Sequence, residues 1–146
     1  VGTGNFGMEI EAKSVNNSFY PKVSNITLKR AAGTVTEGGS SAAEYDAIQF
    51  KKQGNGEYSN VLISGYTTAG ATAVRIQDAA TNTDQVTGGK IKLLNVKIND
   101  GTSQFAGAGS VSPSIAPANY TTSSTATGAT IITGAWTVVN GVSLIQ

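Results

Sequence analysis

Short runs of alternating apolar and polar residues recur along this chain, and three of them are interrupted at the same place by an asparagine. The runs are Val23-Ser24-Asn25-Ile26-Thr27-Leu28, Tyr58-Ser59-Asn60-Val61-Leu62-Ile63 and Leu93-Leu94-Asn95-Val96-Lys97-Ile98, and their asparagines are 35 residues apart. Period-two alternation is the signature of a half-buried strand, because successive side chains leave a strand on opposite faces. A fixed period with strand on both sides marks one unit stacked on itself. Three further alternating runs precede the asparagine-bearing ones: Met8–Glu11, Ala47–Lys51 and Ala73–Gln77. They are not equally spaced, so the polar loops at 31–43 and 79–89 absorb the difference. Each unit therefore reads strand, variable loop, strand, Asn, strand, variable loop.

The asparagine has a physical reason. Two strands that meet at a one-residue bend in a wound coil need a residue that tolerates positive φ, and Asn enters that region more readily than most residues with a Cβ. Successive coils lie about 4.8 Å apart, so stacked Asn amides can each bond the next in a buried ladder. The prediction is a structural ladder of Asn25, Asn60 and Asn95.

After Asp100 the alternation weakens. Residues 112–127 are rich in Pro, Ser, Thr and Ala and are expected to wrap the stack. Near the end, Trp136–Val139 and Val142–Ile145 flank Asn140-Gly141, a strong hairpin turn, so this tail should pair back antiparallel and cap the coils. The expected fold is all-β: a parallel β-solenoid of about three coils with an irregular or hairpin C-terminal cap. Residues 1–146 form one domain, with repeated coils over 6–100 and wrap and cap over 101–146. The first coil would leave apolar surface and unpaired strand edges open, which predicts another protein, further coils or self-association at that end.

Composition agrees with strands and turns. Eighteen glycines and many Ser, Thr and Asn residues disfavour helix. A net charge of +1 gives no field for nucleic acid. No apolar run is long enough to span a bilayer. Cysteine and histidine are both absent, which removes disulfides, thiolate nucleophiles, and the commonest general base and transition-metal ligand. Zero cysteine suits an extracytoplasmic location.

The wording VSNITLKR, YDAIQFKKQGNGEYSNVLISGY, TAVRIQD and LLNVKIND resembles the right-handed parallel β-helix of the pectate-lyase-like superfamily. More narrowly, it is similar to the C-terminal coils of β-helical surface lipoproteins of Bacteroidetes. The likeness covers roughly residues 6–100, and Gly134-Ala135-Trp136 is similar to how such chains finish. The resemblance implies an exported protein, at the cell surface, in the outer membrane or secreted, and a segment of a longer β-helix.

Candidate chemistry follows from the first strands. Glu9, Glu11, Gln49, Lys51, Arg75 and Gln77 share one outer face by period two, and could form a groove for polysaccharide. They could equally be ordinary cross-strand pairs. Tyr66, placed in a loop, is the aromatic candidate for stacking on a sugar ring. No acidic pair repeats from coil to coil, so the two carboxylates of a glycoside hydrolase are missing and no catalytic residue is assigned. Asp78, Asn82 and Asp84 lie in one oxygen-rich loop and are the candidate Ca2+ ligands, against the plainer reading of a solvated turn. Glu44 and Asp46 read as strand-edge charges. Two functions remain: a non-catalytic segment of an exported β-helical protein used for adhesion or carbohydrate contact, and a fragment of a polysaccharide lyase or glycoside hydrolase lacking its catalytic coils.

Overall fold

The computed structural model describes residues 7–12, 14, 18–30, 46–67, 71–99, 103–107, 119–130, 138–139 and 142–143. Eight strands form two parallel sheets. The first sheet holds β1 (Met8–Glu11), β3 (Ile48–Lys51), β5 (Thr72–Ile76) and β7 (Ser103–Gly107), in that order. The second holds β2 (Lys22–Lys29), β4 (Gly56–Ser64), β6 (Ile91–Ile98) and β8 (Tyr120–Thr122). Odd strands in one sheet and even strands in the other, each paired in parallel with the next of its kind, are what a chain wound into rungs produces. The sequence reading ends the repeated coils near residue 100. The strands go a rung further, because Phe105 pairs with Val74 and Tyr120 with Leu93. The weak alternation of those two segments concealed them.

The asparagines mark the corners. Asn25, Asn60 and Asn95 have φ of 59°, 52° and 61°. Around them the register runs Ser24 to Ser59 to Leu94 and Ile26 to Val61 to Val96, so the three bends stack. Each bend costs a non-glycine residue roughly 1–2 kcal/mol, least for Asn. It flips the alternation, so that apolar residues on both sides of the corner face inward. Tyr58, Val61 and Ile63 are thus all buried within β4. They pack with Ile48, Phe50, Val74, Ile76, Ile91, Leu93 and Val96 in one core between the sheets. Phe50 meets Tyr58 edge-on, with ring centroids 5.6 Å apart. The Tyr58 hydroxyl donates to the Asn55 carbonyl, and burial pushes its pKa up to about 12.

Two features depart from a plain solenoid. Residues 79–89, expected as a polar loop, fold into α1 (Ala79–Thr81) and a π-helical turn over Asn82–Val86. Asp78 nucleates it by accepting from the Thr81 N–H, a side-chain cap that outweighs the poor helix composition. Second, residues 123–130 turn back after β8 and run down the outside of the second sheet as a strap. Ser123 N–H donates to the Val96 carbonyl on the third rung, Thr127 meets Asn60 on the second, and Ala129 N–H donates to Thr27 Oγ1 on the first. Gly128 is required where the strap crosses: its φ is +67°, and a Cβ there would come within 2.2 Å of Thr27 Oγ1.

At the C-terminal end, β9 (Val138–Val139) and β10 (Val142–Ser143) pair antiparallel, as the hairpin reading expects. Glu44, Trp136 and Asn140-Gly141 lie outside the described residues. Among those described, no helix is long and apolar enough to cross a membrane.

Candidate functional site

The first sheet brings Glu9, Glu11, Gln49, Lys51 and Arg75 into register on neighbouring rungs. Register sets Glu9 beside Gln49 and Gln49 beside Arg75, with Glu11 beside Lys51 in the next row. The groups bond to one another across the rungs. Lys51 Nζ lies 2.5 Å from Glu9 and 3.7 Å from Glu11, and Lys52 Nζ lies 3.1 Å from Glu11. The hydrogen bond from Lys52 holds the Glu11 carboxyl below its ordinary value; desolvation opposes it, and the charges of Lys52 and Lys51 add to the lowering. The Gln49 amide donates to Gln77 Oε1 at 3.0 Å. Gln49 is itself only 2% exposed, so it underlies this face rather than lining an open groove.

Arg75 turns inward to a partner that the sequence reading placed at a strand edge. Asp46 is fully buried, and the Arg75 Nε donates to its Oδ2 while Nη2 donates to Oδ1. Oδ1 also accepts from the Thr72 N–H and hydroxyl, at 2.7 and 2.8 Å. A carboxylate without Cβ-level freedom to reach water needs such partners, and Asp46 has them because it stands at the corner just before β3, directly beneath Thr72. The signal that could have found it is positional. A single acid immediately ahead of a wholly buried strand, one rung from an arginine, has no solvent to face.

Tyr66 also differs from its expected place. It is 5% exposed, and its hydroxyl closes on Gly7, where a Cβ would come within 2.5 Å of it. The reason lies in Gly65, whose φ of +79° turns the chain back over Arg30 and folds the ring against the stack. The Arg30 guanidinium lies 5.7 Å from the ring centroid. Burial raises the Tyr66 pKa, opposed by the charge of Arg30.

Of the Ca2+ candidates, Asp78 and Asp84 are engaged in a polar cluster that ties two rungs together, whereas the buried Asn82 Oδ1 has no hydrogen-bond partner among the described residues. Asp78 Oδ1 accepts from Thr81 N–H, and Oδ2 accepts from Lys52 N–H and the Thr81 hydroxyl. Burial raises the Asp78 pKa, but the hydrogen bonds from Thr81 and Lys52 outweigh it and leave it lowered. Asp84 accepts from the Gln53 amide, Gln53 from Gln85, and Gln85 from Asn55. Lys52 and Gln53 have φ of 46° and 70°, a strained pair that these bonds hold in place. Among the described residues, no three acids gather closely enough for one cation.

The Asn row is asymmetric. The Asn60 amide donates to Asn25 Oδ1 at 2.8 Å, but it also donates to the Gly128 carbonyl, and its Oδ1 accepts from the N–H groups of Thr127 and Gly128. Asn95 is exposed, and its backbone N–H donates to Thr121 Oγ1. The strap takes the bonding capacity of Asn60 that a buried ladder would direct to Asn95. Where the strap leaves the second sheet, an open groove of about 420 Å³ lies between Val96–Ile98 and Thr122–Ser124. The sequence reading gave no functional role to Lys97 or to the hydroxyl residues that line it.

These arrangements describe a stack braced by internal pairs, with charges matched from rung to rung. Neither curated proteins nor solved structures yield a match to the chain. The family model for a pectate-lyase like beta helix domain matches residues 2–141. With its two parallel sheets and stacked corners, the chain belongs to the pectate-lyase-like β-helix family.

Proposed function

We propose that this chain is a non-catalytic segment of an exported or cell-surface β-helical protein that contacts carbohydrate. The observation that carries the reading is the pairing of charges along the first sheet, both on its outer face and at the buried corner before β3. Glu9 and Glu11 bond to Lys51 and Lys52, and Arg75 bonds to Asp46, so the charged groups are engaged with each other. General acid–base or nucleophilic work on a glycosidic bond needs two carboxylates facing a bound sugar across a gap, one of them free to exchange a proton. A flat face of carboxylates, ammonium groups and amides can instead hydrogen-bond sugar hydroxyls in passing. The hydroxyl-lined groove beside Lys97 offers a second such surface. The fold family is one associated by name with pectate, which favours a uronic-acid polymer among carbohydrates; fold alone does not assign the ligand. The Bacteroidetes surface-lipoprotein type and the extracytoplasmic location belong to the same proposal.

The test is a glycan array followed by calorimetry with polygalacturonate, run beside an assay for release of unsaturated or reducing ends. Binding without bond cleavage supports the reading. Cleavage that is lost on replacing Glu9 or Glu11 overturns it in favour of a lyase or hydrolase, and a complete lack of glycan binding removes the carbohydrate part.

A further inference from the structure

The corner column of the second sheet has one acceptor and two claimants for it. Register places Asn60 between Asn25 and Asn95, and all three have positive φ. Neighbouring rungs of a parallel sheet lie about 4.8 Å apart, close enough for each carboxamide to donate to the one below. The lower bond of that ladder is formed, from Asn60 Nδ2 to Asn25 Oδ1 at 2.8 Å. The upper bond, from Asn95 Nδ2 to Asn60 Oδ1, is not made. An amide oxygen has two lone pairs, and the N–H groups of Thr127 and Gly128 take both of those on Asn60, at 2.9 and 3.3 Å. The Asn95 side chain makes no hydrogen bond among the described residues, while its backbone N–H is bonded to Thr121 Oγ1.

The strap itself is lightly held. Ala126 and Gly128 are buried, but Thr127 and Ala129 are exposed, and so are the bonds from Thr127 N–H to Asn60 and from Ala129 N–H to Thr27. Gly128 crosses with φ of +67° close against Thr27 and Leu62. A segment on exposed hydrogen bonds opens locally, without unfolding the rungs beneath it. Here opening does not leave Asn60 Oδ1 empty, because the Asn95 amide stands one rung above it and can take the place of the strap. One set of bonds is exchanged for another, so the opening costs less than the number of broken bonds implies. We propose that the strap is a latch that competes with Asn95 for Asn60 Oδ1. Closed, it ties the first, second and third rungs through Thr27, Asn60 and Val96. Open, Asn25, Asn60 and Asn95 form one continuous ladder, and the outward sides of Thr27 and Leu62, on which Gly128 lies, are uncovered. A ligand for that uncovered face would draw the latch open by its preference for the open state.

Amide exchange followed by NMR on the intact chain reads both states. Asn95→Gly keeps a residue that accepts positive φ and keeps the backbone N–H bonded to Thr121, but removes the competing carboxamide. Asn95 bonds no residue of the strap, yet in this variant the amides of Thr127 and Gly128 should exchange about fivefold more slowly, because opening loses its replacement bond. Gly128→Ala acts in the opposite sense: a Cβ 2.2 Å from Thr27 Oγ1, on a backbone at positive φ, favours the open latch. The Asn95 side-chain amide should then exchange about fivefold more slowly than in the parent, while the backbone amides of Thr127 and Ala129 exchange faster. Circular dichroism checks that the rungs are intact. Thr27→Val, which removes only the acceptor of Ala129 N–H, should give the same pair of changes in smaller measure and serves where Gly128→Ala does not fold. Unchanged or faster exchange at Thr127 and Gly128 in Asn95→Gly overturns the inference. So does an Asn95 side-chain amide that stays unprotected once the strap is lifted. A strap that is only a fixed brace gives both of those results, and none of them depends on glycan binding.

Discussion

The first and second rungs share one design and differ in environment. Ile10 and Phe50 occupy the same register position, as do Val23 and Tyr58, and Leu28 and Ile63. On the second rung these side chains are 0–2% exposed; on the first they are partly or substantially open. The charges follow the same division. The second rung's acid, Asp46, is buried against Arg75 on the third, whereas Glu9 and Glu11 on the first meet Lys51 and Lys52 in solvent. Pattern sets where a residue points, and stacking decides what that direction is worth. Identical alternation can thus stabilise strongly in the middle of the coil and weakly at its end.

Removing a charge partner separates the two rungs most. Asp46→Ala leaves a guanidinium that is 11% exposed without its carboxylate, and it should cost about 3–5 kcal/mol. Glu9→Ala should stay within about 1 kcal/mol, as for exposed pairs generally. Urea unfolding of both variants measures the contrast. The double variant Asp46→Ala, Arg75→Met should recover much of the loss, because no buried charge then remains. Equal costs for Asp46→Ala and Glu9→Ala would break the comparison.

Core truncation sharpens it. Phe50→Ala opens a void between the sheets and removes the edge-on contact with Tyr58, for an expected loss of about 3–5 kcal/mol. Ile10→Ala at the matching position should cost less than half as much, since its side chain already meets water. Denaturation midpoints at constant m-value give the answer.

Much of this architecture could be read from the chain because it repeats. The corners at Asn25, Asn60 and Asn95 announced themselves by spacing, and the tail pairing by the residues flanking Asn140-Gly141. What could not be read depends on contacts between rungs. The burial of Asp46 follows from Thr72 and Arg75, which approach only after winding. Tyr66 looked like an exposed loop aromatic because the effect of Gly65 on chain direction is invisible without Arg30 beneath it. The helical turn after Asp78 runs against composition, and it forms because Thr81, Gln85 and Asp84 find Gln53 and Asn55 on the rung below. Fourth-rung strands β7 and β8 lack a strong alternation of their own and are placed by the edges already present.

The corner residues offer a finer comparison. Asn60→Gly keeps a residue that accepts positive φ, so it isolates the side chain. It removes the bonds to Asn25, Thr127 and Gly128 and should cost about 1–2 kcal/mol while loosening the strap. Asn25→Gly removes only the bond to Asn60 and should cost roughly half of that or less. Hydrogen exchange at Thr127 and Gly128 checks the mechanism: their amides should lose protection in Asn60→Gly and largely keep it in Asn25→Gly.

An effect of the same small order lies at Asp78, where the second and third rungs are tied by a carboxylate at the cluster's solvent side. Asp78→Ala removes the cap on α1 and the acceptor for Lys52 N–H, for about 1 kcal/mol. Its pH dependence has a definite sign. Hydrogen bonding by Thr81 and Lys52 lowers its folded pKa below the ordinary 3.8, so the folded state favours the ionised carboxylate. That contribution is complete above the unfolded pKa and is lost as pH falls through the lowered folded value. The difference in stability between the parent and Asp78→Ala should therefore be constant at neutral pH and shrink below about pH 4. Glu11 on the first rung is lowered too, but by exposed lysines, and salt distinguishes the two. Raising ionic strength should flatten the Glu11→Gln difference and leave that of Asp78→Ala nearly unchanged, because Asp78 is held by backbone N–H groups rather than by a screened charge.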